Sequence, residues 1–230
     1  MFIDPMGTDA IVLTTGSTSV YLNGHTSVLA QDKKDNWYYF YWGNKNAVLL
    51  EVPADKVGSL KDLNSFLEAN GAGKKGEETD KILHDSSTNY KHSTYIEGDF
   101  SASIDYYLKQ IRGADFTDTI TDKGKHIYGN DTYKTTSWNC MHLSFEGLKE
   151  GTLADGSTNF GDFVKWNGNG SVRPNDFKAM IRETFLNESM TKSAAQTAVK
   201  NKASNKKPMG HNQTYFDRGI SYANMIGVIK

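Results

Sequence analysis

Short β-prone runs fill the first fifty residues of the chain. Ala10 to Thr15 and Thr18 to Leu22 flank a Gly-Ser turn. His25 to Gln31 leads into five polar residues, Asp32 to Asn36, and then into the aromatic run Trp37 to Trp42. Two β-prone runs around a polar loop of this length predict an antiparallel hairpin. Ala47 to Val52, ended by Pro53, adds a third strand, so His25 opens the central meander. Helical spacing follows. Leu60, Leu63 and Leu67 recur on one face over Ser59 to Ala69, and Phe100, Ile104, Leu108 and Ile111 do so over Asp99 to Arg112. Residues 72–97 read as a polar surface loop, and Asp115 to Thr136 as a hairpin or loops. A further helix is predicted from Cys140 to Lys149, stopping at Gly151. Another opens at Arg173-Pro174-Asn175-Asp176, with proline near its first turn, and runs to about residue 190. Ser193 to Lys207 reads as an exposed helix or linker, and Ile220 to Ile229 as a docked strand or a loose end. The fold class is therefore α+β, an antiparallel meander sheet packed against helices.

Composition supports a globular chain. The 37% hydrophobic content rises to about 46% once the 21 glycines in 230 residues are included, an ordinary value. A formal net charge of −1 argues against binding nucleic acid through bulk positive charge. The longest apolar runs are too short to cross a bilayer, so no transmembrane segment is expected, and the first residues lack the features of a signal peptide. The single cysteine excludes an internal disulfide and any zinc site that needs two thiolates. There is no His-x-x-x-His, no Cys-x-x-Cys and no phosphate-binding Gly-Lys-Ser/Thr loop, so neither metal nor cofactor is expected.

That cysteine carries the candidate chemistry. Asn139 is a competent N-cap, which makes Cys140 the first residue inside its helix. Met141, Phe145 and Leu148 form the apolar stripe, while Cys140, Ser144 and Gly147 make a small-residue face open to close approach by another element. A thiol at a helix start feels the positive end of the dipole, which favours the nucleophilic thiolate. The backbone N–H of Cys140 is placed to help hold an oxyanion. The competing reading is a small buried core residue. A thiolate needs a base, usually histidine. His142 lies about 200° around the helix from Cys140 and reads as a surface or capping residue. His84 and His92 fall in the polar region, His126 in a turn and His211 near the end, whereas His25 opens a strand. His25 and Cys140 are thus the candidate dyad. The aromatic run 37–42 reads as sheet core in preference to a stacking platform for sugars or bases.

Two resemblances add to this reading. Phe2-Ile3-Asp4-Pro5-Met6-Gly7 resembles the Asp-Pro-x-Gly segment that closes the core of Rhs/YD-repeat proteins, although Thr8 stands where an apolar residue is usual. That likeness implies a junction over residues 1–8 and a toxin domain after it. It also implies delivery into a target cell as part of a larger Rhs-type protein, cleavage from the Rhs shell, and a cognate immunity protein. The order strand-His25, strands, then Asn139-Cys140-x-His142 on a helix, with Arg173-Pro174-Asn175-Asp176-Phe177 later, resembles circularly permuted papain-like proteins of the NlpC and lecithin retinol acyltransferase groups. It implies a permuted papain-like catalytic domain over 9–190, a tail over 191–230, and a cysteine hydrolase (a peptidase or amidase, with an acyltransferase or phospholipase of the same fold as the alternative) acting on a peptide, cell-wall or acyl-lipid substrate. The acyltransferase branch has a second histidine on the next strand, where this chain has Trp37 and other aromatics. The orienting third residue is left to Glu51, with Asn36 behind it. Two other classes stay open: an Rhs-type nuclease using the basic stretch Lys200 to Lys207 with His211 and Asn212, and a binding module without catalysis.

Overall fold

The computed structural model describes residues 8–16, 24–43, 46–70, 89–112, 119–120, 125–129, 139–165, 173–205 and 213–229. The strand expected over Thr18 to Leu22, the Rhs-like segment Phe2 to Gly7, His84 and His211 lie outside them. In chain order the elements begin with β1 (Ala10–Thr14), β2 (Thr26–Gln31), β3 (Trp37–Trp42), β4 (Asn46–Val52), α1 (Ala54–Val57) and α2 (Leu60–Ala69). Next come β5 (His92–Ile96), β6 (Gly98–Asp99), α3 (Ser101–Arg112), β7 (Thr119–Ile120), β8 (Lys125–Gly129) and α4 (Cys140–Leu148). The chain closes with β9 (Thr152–Leu153), α5 (Phe160–Phe163), α6 (Pro174–Phe185), α7 (Lys192–Asn205) and α8 (Gln213–Met225).

Seven strands form one antiparallel sheet in the order β5-β1-β2-β3-β4-β8-β7, and β6 pairs separately with β9. The α+β class and the antiparallel meander agree with the sequence reading. The β2–β3 turn closes on Asp32, whose Oδ1 accepts from the backbone N–H of Lys34 (2.8 Å) and Asn36 (2.9 Å). Asp35 takes a left-handed conformation there (φ 65°), one that aspartate tolerates better than most residues.

Alternation along the strands divides the core into two layers. Val12, Val28, Phe40 and Leu49 face one layer with Tyr107 of α3, Leu143 of α4, Phe177 of α6 and Phe216 of α8. Ile11, Leu29, Tyr39 and Leu50 face the other, closed by Leu63 and Leu67 of α2 and Ala195 of α7. The aromatic run is core: Trp37, Tyr39, Phe40, Tyr41 and Trp42 are all buried, which removes the stacking-platform reading.

Two expectations need correction, and a third is sharpened. Residues 92–96, read as loop, are β5, which pairs with β1 from Thr14↔His92 to Ala10↔Ile96. Its inward residues, Tyr95 and Ile96, are buried, but only five strand residues stand at the end of a long polar stretch. Ser193 to Lys207, read as an exposed helix or linker, holds the helix α7, which leaves most of its length at the surface and buries Ala195, Val199 and Ala203. Small side chains give that helix little apolar contrast. Ile220 to Ile229, read as a strand or loose end, begins inside α8, where Phe216, Gly219, Tyr222 and Ala223 share a buried helical face.

Candidate functional site

Asn139 caps α4 as its sequence predicts. Its side-chain oxygen accepts from the N–H of Met141 (3.0 Å) and His142 (3.3 Å), and Cys140 is the first helical residue. The His142 ring joins the same oxygen through Nδ1 at 3.1 Å, so this histidine serves the cap. The small-residue face is used. Tyr107 of α3 lies so close to Gly147 that a Cβ there would strike its ring, and its hydroxyl donates to the Ser144 carbonyl at 2.9 Å. Tyr107 also stacks on Phe40 of β3, with centroids 4.2 Å apart and planes 5° from parallel. α4 is thereby seated against the β2–β3 hairpin, and Cys140, 2% exposed, belongs to the core of the first layer.

His25 is fixed at four points. Its backbone N–H donates to Thr15 Oγ1 (2.9 Å), and its carbonyl accepts from the Thr15 N–H (3.1 Å). Its ring packs on Tyr41 with centroids 4.7 Å apart, and Nε2 lies 3.2 Å from Ser27 Oγ. Gly24 before it has φ 74°, and a Cβ there would meet the Gly16 carbonyl oxygen at 2.8 Å, so the approach to His25 requires glycine. Burial lowers the His25 pKa to about 3, because a charged imidazolium cannot be hydrated there.

The bond from His25 continues through hydroxyls. Tyr90 donates to Ser27 Oγ at 2.6 Å, and the Tyr39 and Tyr90 hydroxyls are 2.6 Å apart. Tyr90 is pinned by α2: Asn64 donates to its carbonyl (3.0 Å) and accepts from its N–H (2.9 Å). Burial raises the pKa of both tyrosines, so the chain consists of neutral hydroxyls at physiological pH.

The structure therefore brings His25 together with Ser27, Tyr41, Tyr90 and Tyr39, and seats Cys140 at a capped helix start. The two side chains belong to different layers, the histidine with the tyrosines and the thiol with Phe40 and Val28.

Glu51 is corrected as an orienting residue for His25. The register sets Glu51 opposite Tyr38 and Tyr38 opposite Ala30, five residues along from His25, or about 17 Å of extended chain. Asn36 sits in the β2–β3 turn at that same far end, bonded to Asp32. Ser27 and Tyr90 were not anticipated. Ser27 was detectable in principle, two residues after His25 and so on its face of the strand. Tyr90 is 63 residues from Ser27 and had no local signal. His92 opens β5 on a paired strand, with Nδ1 3.3 Å from Glu188 and its pKa lowered chiefly by burial.

An open cleft of about 590 Å³ lies at the turn end of β2–β3, lined by Asp32, Lys33, Tyr38, Ser101, Ile104 and Asp105 among others. It stands away from His25. Among the described residues no three His, Cys, Asp or Glu side chains gather as a metal-holding group, and no helix is long and apolar enough to cross a membrane. The chain matches no family model, no curated protein and no solved structure.

Proposed function

We propose that this chain is a cysteine-dependent hydrolase domain, a permuted papain-like toxin delivered by a larger Rhs-type protein, with Cys140 as nucleophile and His25 as base. The observation that carries the reading is Cys140 as first residue of a helix capped by Asn139, on a helix that packs across β2, the strand His25 precedes. The helix start favours the thiolate. His25 Nε2 is engaged by Ser27, which leaves Nδ1 as the nitrogen for proton transfer. In the reaction Nδ1 takes the thiol proton as sulfur attacks the carbonyl carbon of an amide or ester. The same proton then goes to the departing amine or alcohol as the C–N or C–O bond breaks. Water, deprotonated by His25, cleaves the thioester to release the acid and restore the thiol. The thiol and the imidazole stand in different layers of the structure, so the reaction requires a rearrangement that brings both to one side of β2 before the proton is transferred.

A peptide or cell-wall amide is favoured over an acyl lipid, because the second histidine of the acyltransferase branch has no counterpart on β3. The proposed partners are an Rhs shell before release and an immunity protein afterwards. The test is expression of Cys140→Ala and His25→Ala chains in bacterial cells, with colony counts. Loss of growth inhibition in both is expected; full toxicity in both would end the hydrolase reading.

One observation favours a second reading, a binding domain in which the thiol is only core: Cys140 is 2% exposed among apolar side chains. Iodoacetamide separates the two. A hydrolase would label at Cys140 while folded and lose activity, whereas a core thiol would react only after denaturation.

A further inference from the structure

The third member of a cysteine–histidine pair is a group that fixes the ring and its tautomer. Resting on the hydrolase reading, the geometry points to Ser27 as that positioning residue, with Tyr90 and Tyr39 holding its hydroxyl in place. Ser27 follows His25 by two residues and shares its side of β2, so the contact is local and needs no second strand. The hydroxyl oxygen has two lone pairs. One accepts the Tyr90 hydroxyl proton at 2.6 Å, and His25 Nε2 lies 3.2 Å from the same oxygen. With its first lone pair held by Tyr90, Ser27 accepts Nε2–H and leaves the Nδ1 lone pair to act as base.

Rigidity is supplied from outside the strand. Tyr90 is bonded at its hydroxyl by Tyr39 and at both backbone groups by Asn64 of α2, so Ser27 Oγ has a defined neighbour on the side away from the histidine. The Tyr41 ring, 4.7 Å from the imidazole, limits the other rotation. A neutral acceptor also suits both states of the base. Ser27 accepts from Nε2 whether Nδ1 is empty or protonated, and no carboxylate need be buried beside it.

The test uses the whole chain, labelled with ¹⁵N at histidine, together with colony counts. The unsubstituted protein is expected to show His25 with the proton on Nε2. Ser27→Ala is expected to lose that preference and to weaken growth inhibition 10-fold or more. Ser27→Thr, which keeps the hydroxyl on a strand-compatible side chain, is expected to restore both. A proton found on Nδ1 in the unsubstituted protein overturns the assignment, and this holds even if Ser27→Ala fails to fold. So does a Ser27→Ala chain with unchanged tautomer and unchanged toxicity while His25→Ala is inactive. If His25→Ala and Cys140→Ala both remain fully toxic, the hydrolase reading fails instead, and the ¹⁵N spectrum still decides whether Ser27 orients the ring.

Discussion

Gly147→Ala is the substitution whose outcome the packing of α4 fixes most closely. A Cβ at this position strikes the Tyr107 ring at Cε1 and Cζ and comes within 2.6 Å of its hydroxyl oxygen. The ring cannot retreat easily, being stacked on Phe40 at 4.2 Å and bonded to the Ser144 carbonyl at 2.9 Å. Overpacking of this kind costs about 3 kcal/mol at the upper end of the usual range. Alanine in place of glycine inside a helix returns about 1 kcal/mol. The net loss is about 2 kcal/mol, a fall in Tm of about 4–8 °C for a chain of this size. Thermal unfolding followed by circular dichroism, with a urea titration alongside, measures it. In a Tyr107→Leu background the ring is gone, only the propensity gain remains, and Gly147→Ala becomes stabilising by about 1 kcal/mol. An unchanged Tm in the first background, or no reversal of sign in the second, would refute the account of how α3 meets α4.

His25 makes stability depend on pH with a defined sign. Its folded-state pKa of about 3 lies below the unfolded value of 6.5, so between these limits the unfolded chain binds the extra proton and stability rises with pH. At pH 5 this residue alone costs about 2 kcal/mol relative to pH 7, and His25→Gln should flatten the urea midpoint over that interval. Asn139→Ala removes the acceptor for Met141 and His142 N–H and should cost about 1 kcal/mol, whereas Asn139→Asp, which keeps the acceptor, should stay near the unsubstituted protein.

Where the physics was local, the sequence carried it. The Asn139 cap, the Cys140–Ser144–Gly147 face and the β2–β3–β4 meander each follow from spacing within a dozen residues, and each stands in the structure. β5 escaped because five residues after a polar stretch gain strand character only by pairing with β1, some eighty residues earlier. α7 was legible only as a helix or linker, and α8 escaped, because Ala195, Val199, Gly219 and Ala223 bury little apolar area each and hold their place through close approach; a Cβ on Gly219 would meet Leu186 at 2.6 Å. At the site, the capped cysteine and the strand-borne histidine were legible, but the ring's partner was not. Glu51 and Asn36 stand at the far end of the hairpin, and the contact instead comes from the Ser27 hydroxyl, two residues after His25, held by Tyr90 from the segment before β5.

β1 is hydrogen-bonded on both sides, to β2 and to β5, over the same five residues from Ala10 to Thr14. A force applied ahead of Thr8 would load both ladders lengthwise at once, so that many bonds must rupture together. A force applied behind α8 meets a helix packed on α6 and α7 and would peel it away piecemeal. Because forced unfolding is set by the unfolding barrier, the domain should resist pulling far more from its first strand than from its last helix, a mechanical polarity written into the strand order.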